Sequence, residues 1–163
     1  MNNRLLIERS SAKLLTLIYA TLLCVSGIFS AAASADDEAD VRAVFEKLES
    51  TWNAGNMDGY LSAYAATGPM TLTFGNQQVV GLEALTKLFK ASYPDPKRMG
   101  RFTIDTLSID FLDANTAVGY GGFTHYFPKE TIHGGFSHVL VREDDGWVIR
   151  HERTSRASVE HHE

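Results

Sequence analysis

At 163 residues and a formal charge of −5, the chain holds one ordinary domain and lacks the cationic excess that nucleic acid or an anionic membrane surface requires of a partner. Cys24 is the only cysteine, so neither a disulfide framework nor a metal-binding cysteine cluster is available.

The N-terminus reads as a leader. Arg4, Arg9 and Lys13 precede an apolar run from Leu14 to Phe29, and Ala33-Ser34-Ala35 places small residues where signal peptidase cuts. Residues 1–35 are therefore expected to be a cleaved secretory signal, which gives a secreted or periplasmic product. Thr16, Tyr19, Thr21, Ser26 and Gly27 interrupt the run and no stop-transfer charges follow it directly, so no stable membrane anchor is expected after cleavage. Leu23 stands before Cys24 where a lipoprotein signal carries a small residue, which argues against lipidation. Loss of Arg4, Glu8, Arg9 and Lys13 lowers the basic count from 15 to 12 and the acidic count from 20 to 19, a net −7 over residues 36–163. That domain has no cysteine, and its core alone must hold it.

Val41, Val44, Phe45, Leu48 and Trp52 follow the spacing of one helical face, and the acids from Asp36 to Asp40 suit the positive end of such a helix, predicting a first helix over about 37–53. Gly55-Asn56 breaks it. Asn56 caps a second, short helix with Met57, Tyr60, Leu61 and Tyr64 on its apolar face, and Pro69 ends that element. Residues 70–74 and 78–80 form a small hairpin across Gly75-Asn76, and Gly81 opens a third helix with Leu82, Leu85, Leu88 and Phe89 inward, stopped by Pro94-Asp95-Pro96.

From Arg101 the pattern changes to long strands, at about 101–112, 115–127, 130–143 and 146–156, joined by links short enough to demand antiparallel neighbours. Helices first and a meander second predicts an α+β fold, a cone-shaped curved antiparallel sheet with three N-terminal helices packed on its concave face. Gly119, Gly121, Gly122, Gly134 and Gly135 fall inside these strands and read as bulges or bends. A bent sheet only partly filled by its helices leaves a cavity where small ligands bind. In the last strand, period 2 puts Trp147, Ile149, His151, Arg153 and Ser155 on one side, which begins as core and ends as a candidate site.

Three segments together resemble the nuclear transport factor 2-like (cystatin-like) superfamily, in particular its SnoaL-like and ketosteroid-isomerase-like members. They are Trp52-Asn53-Ala54-Gly55-Asn56-Met57-Asp58, Val80-Gly81-Leu82-Glu83-Ala84-Leu85 and Asp145-Gly146-Trp147-Val148-Ile149-Arg150-His151-Glu152. The resemblance covers nearly all of residues 36–163 and implies a homodimer built through the sheet around a hydrophobic cavity, used by different members for isomerisation, dehydration, cyclisation or plain binding. Ketosteroid isomerases place an aspartate base near the end of the first strand. Here that region is Thr71-Leu72-Thr73-Phe74, without a carboxylate, so that isomerase activity is not expected. Where many relatives end the last strand with a histidine two residues before a serine, this chain has Arg153, a fixed cation suited to a carboxylate or enolate oxygen.

The expected function is binding of a small apolar or aromatic molecule in that cavity. If catalysis accompanies it, isomerase, cyclase or lyase chemistry would use His138 or His151 as acid or base, Arg153 as oxyanion stabiliser and Tyr64 to orient the ligand. Trp52, Tyr60, Tyr64, Phe74, Tyr120 and His125 are the candidate ligand-binding residues, although any single ring more often fills core. Strand five is apolar on both faces, so its inward face stays open. No metal and no cofactor is expected, since no His-x-His or Glu-x-x-His pair lies in a candidate site. The competing expectation is a noncatalytic oligomerisation or protein-interaction module, resembling the association domain of calcium/calmodulin-dependent kinase II, in which rings plug the cavity and the convex sheet is the working surface.

Overall fold

The computed structural model describes residues 35–163, and the leader assigned above to residues 1–35 lies outside the described residues except for Ala35. Helix α1 (Ala35–Asn53) buries Val41, Val44, Phe45, Leu48 and Trp52, the face read from the spacing. Asp36, Asp37 and Glu38 occupy its first turn, where they complement the helix dipole. It ends at Gly55, whose φ of +68° lets the backbone turn left-handed and whose N–H returns to the Trp52 carbonyl at 2.8 Å. Asn56 then caps α2 (Met57–Leu61) by accepting from the Gly59 N–H at 2.9 Å.

Strands β1 (Thr71–Phe74) and β2 (Gln77–Val80) form the small hairpin, and α3 (Leu82–Ser92) follows Gly81 with Leu85 fully buried. The meander is β3 (Arg101–Asp113), β4 (Thr116–Tyr126), β5 (Glu130–Glu143) and β6 (Gly146–His161). The first three match the expected strands to within a residue, whereas β6 runs five residues beyond the expected end at 156. The six strands make one curved sheet in the order β2-β1-β6-β5-β4-β3. It is mixed, because β1 runs parallel to β6 while every other pair is antiparallel. The chain reaches β1 through residues 63–65, which pair with Ile149 of β6 on the way: Ala65 N–H donates to the Ile149 carbonyl at 2.9 Å and Ile149 N–H to the Ala63 carbonyl at 2.8 Å.

Register shifts bend the sheet. β3 slips against β4 between Ile104 and Thr106, opposite Phe123 and Gly122, and a Cβ at the next residue, Gly121, would sit 1.8 Å from the Thr106 carbonyl oxygen. The shift that matters for the site is in β6. Val139 pairs with His151 but Leu140 pairs with Ile149, so Arg150 is an extra residue in a β-bulge. Its guanidinium is held by Glu143 at 2.6 Å and by the Thr67 carbonyl. A one-residue insertion exchanges the two faces of the strand beyond it. Trp147 and Ile149 are buried, and past the bulge the next buried residue is Glu152, with His151 only half-buried and Arg153 exposed.

Candidate functional site

A cavity of about 300 Å³ lies between the concave face of the sheet and the helices. Its floor is formed by Tyr60, Leu72, Phe136, His138 and Glu152, all buried. Its walls are largely rings, with Trp52, Phe89, Tyr93 and Phe123 among them. Phe74, Gln77, Leu88, Ser92 and Arg156 are exposed and mark its mouth.

The polar chemistry concentrates on the floor. His138 is 6 % exposed and lies between two rings, stacked parallel to Phe45 at 5.4 Å between centroids and tilted against Phe136 at 5.0 Å. Its Nε2 is 3.8 Å from a Glu152 carboxylate oxygen, an ion-pair distance too long for a hydrogen bond, and neither ring nitrogen has a hydrogen-bond partner. The other Glu152 oxygen accepts from the Tyr64 hydroxyl, which is in turn hydrogen-bonded to the Tyr60 hydroxyl at 3.1 Å. Burial alone would raise the Glu152 carboxyl. The charge of His138, its proximity as a donor, the Tyr64 hydrogen bond and the charge of His151 outweigh burial and hold the carboxyl below its ordinary range. Burial and the neighbouring Glu152 charge push both Tyr60 and Tyr64 well above the usual phenol range, so both hydroxyls keep their protons. The floor thus carries a carboxylate held by the Tyr64 hydroxyl beside a buried imidazole whose nitrogens make no hydrogen bond.

His125 forms a second polar point on the wall. Its Nε2–H donates to the Met99 carbonyl at 2.6 Å, and the Trp52 indole N–H donates to the same oxygen at 2.9 Å. Burial depresses its basicity; the Met99 hydrogen bond works against that, and the charge of Arg156 reinforces it. The ring is a neutral, anchored imidazole.

Of the residues read from the sequence, the fold brings Trp52, Tyr60, Phe74, His125 and His138 to the cavity. Tyr64 stands directly behind the floor, holding Glu152, and it lies in the segment that bridges to Ile149 rather than in α2. Three candidates are placed elsewhere. Tyr120, 42 % exposed, and Arg153 flank a shallow depression with Ser137 and Ser155 on the opposite face of the sheet. His151 lies on that face too, bonded through Nδ1 to the Thr71 hydroxyl. For His151 and Arg153 the physical reason is the bulge at Arg150, which moves Glu152, Thr154 and Arg156 to the cavity in their stead. The alternation read from Trp147 held only as far as Ile149. Glu152 and Arg156 are the site residues that sequence reasoning missed.

No family profile matches the sequence, and no curated protein is similar enough to match it. Solved structures do match. A crystal structure of an NTF-2-like protein of unknown function from Shewanella oneidensis has 25% identity and a TM-score of 0.70, over 72% of this chain and 98% of that one. The chain has the nuclear transport factor 2-like fold. A provisionally assigned scytalone dehydratase from Novosphingobium aromaticivorans superposes at a TM-score of 0.63 with 11% identity, over 77% of this chain and 87% of that one. A provisionally assigned calcium/calmodulin-dependent protein kinase II association domain from Xanthomonas campestris does so at 0.60 with 23% identity, over 77% and 91%. At those identities the nuclear transport factor 2-like likeness is one of fold, and the site must speak for the chemistry.

Proposed function

We propose that the chain binds a small apolar or aromatic molecule in the ring-lined cavity and moves a proton on it, in an isomerase- or lyase-type reaction. One observation carries this reading: His138, buried at the cavity floor, has both ring nitrogens free of protein partners while a fixed carboxylate stands 3.8 Å away. A buried imidazole without hydrogen bonds is costly unless a guest completes it. His138 takes a proton from a carbon beside a carbonyl group, whose oxygen takes up the electron pair as an enolate. It returns that proton to another carbon, giving an isomer, or to a departing hydroxyl, which leaves as water. Glu152 stabilises the imidazolium that forms between the two transfers, and Tyr64 keeps Glu152 ionised and in place. Neither outcome changes the redox state of the guest.

Export is part of the proposal and is supported by the basic, apolar and small-residue order of residues 1–35. A homodimer through the face opposite the cavity is supported by the exposed Tyr120 beside the shallow depression at Gly121 and Gly135. Cell fractionation and mass in solution test these two points separately.

For the site, mass spectrometry of small molecules released from the purified native protein, run beside H138Q and E152Q, is the direct experiment. Release of an apolar compound by the parent, with H138Q retaining it unconverted, is expected. An empty parent that also fails to take up an apolar dye overturns the reading, and a large ring assembly with a plugged interior favours the interaction module instead.

A further inference from the structure

The mouth of the cavity is not neutral. Arg156 is the one fixed cation among the lining residues, it is exposed, and its guanidinium lies 5.2 Å from the centre of the Phe74 ring. Among the described residues no carboxylate is within ion-pair distance of it, whereas Arg42, Lys90, Arg142 and Arg150 each have one. Its charge is felt across the opening: burial raises the Tyr93 hydroxyl while Arg156 opposes that rise, and Arg156 adds to the depression of His125. Arg156 and the Phe74 ring beside it both line the opening. A planar cation resting on a ring, with its donors uncommitted, is suited to a bidentate carboxylate.

Arg156 and Glu152 stand on the same face of the same strand with Thr154 between them. Four residues of strand separate their backbones by roughly 13 Å. His138 lines the floor and Arg156 puts a cation at the mouth, while most of the surface between them is apolar. We infer that the cavity takes an elongated amphipathic acid, an apolar or aromatic body that fills the ring-lined interior toward His138 while its carboxylate pairs with Arg156 at the mouth. This deepens the proposed function and rests on it, since the cavity must first admit an apolar guest. It also gives the guest one orientation, with its acidic end toward solvent and its reacting carbons beneath His138.

The test is titration of the full domain, residues 36–163, with 6-hydroxy-2-naphthoate and with its uncharged primary amide, followed by ligand fluorescence. The parent is expected to bind the acid roughly fivefold to tenfold tighter than the amide, because only the acid gains a charge-assisted pair. R156Q should erase that preference by weakening the acid alone, and added salt should do the same. R153Q, on the opposite face, should change neither affinity. Equal binding of acid and amide by the parent overturns the inference while leaving an apolar binding site intact. Failure of both probes to bind at millimolar concentration overturns the inference and the proposed function together.

Discussion

Replacing Tyr64 by Phe keeps a buried ring and removes one hydroxyl, and that hydroxyl is the donor to the Glu152 carboxylate. Both residues are almost fully buried, at 2 % and 5 % exposure, so water cannot easily substitute for the lost donor. A hydrogen bond to a charged group is worth about 1.5–3 kcal/mol, which for a domain of this size corresponds to a fall in Tm of about 5–12 °C. The loss should depend on pH in a definite direction. The folded Glu152 carboxyl lies below its ordinary range, so the stability that it carries is fully present above roughly pH 4.3 and fades as pH falls through the depressed folded value. Without Tyr64 that value climbs back toward the ordinary one, and less of the stability is present at neutral pH. Urea unfolding of the parent and Y64F at about pH 7 and again at about pH 3 reads both quantities, and the gap between the two proteins should narrow in acid. An equal gap at both pH values, or a gap at about pH 7 below about 0.5 kcal/mol, would refute the claim that Tyr64 holds an ionised Glu152.

Further expectations concern the imidazole and the sheet. H138L strips the imidazole from beside the buried Glu152 carboxylate and should lose about 3–5 kcal/mol, most of which E152Q added to the same chain should restore; denaturant midpoints that simply add would contradict a coupled pair. A Cβ at Gly121 would collide with the Thr106 carbonyl, whereas one at Gly135 meets only ordinary contact at 3.6 Å. G121A should therefore unfold more easily by about 1–3 kcal/mol and G135A should be neutral or gain about 0.5–1 kcal/mol, read by thermal unfolding. W52F deletes one of the two donors to the Met99 carbonyl and should cost about 1 kcal/mol or more while His125 keeps the other.

The elements were legible because each carries a strong local signal. Five apolar residues at helical spacing specify α1, Asn56 announces the cap of α2, and short polar links between long alternating runs leave β3 to β6 little choice but to pair as neighbours. The parallel pairing of β1 with β6 joins residues eighty positions apart, and nothing local reports it. The site was half legible for a similar reason. Trp52, Tyr60, Phe74 and His125 reach the cavity as candidates the sequence offered, whereas β5 is apolar on both faces and its pattern left the inward aim of His138 open. Beyond Ile149 the strand turns polar on both sides, so the pattern that would betray a change of phase is missing, and a single extra residue at Arg150 sends His151 and Arg153 outward. The acidic residue in His151-Glu152-Arg153 was visible in the sequence, but its inward aim was not.

An unpaired buried nitrogen does not by itself make a site, and the molecule supplies its own control. The Trp147 indole N–H is also buried and without a hydrogen-bond partner, yet it lines no part of the cavity and its ring is covered by the Arg142 guanidinium at 4.8 Å. There the large apolar surface of the ring justifies burial, and one unmet donor is a tolerable loss. His138 offers far less apolar surface and brings a buried carboxylate with it, so a leucine in its place, with a neutral residue at position 152, would make an easier core. The pair lowers stability where a plain core would raise it, and it does so at the one place where an apolar guest would meet it. This local violation of packing logic beside a cavity is the feature on which the proposed function rests.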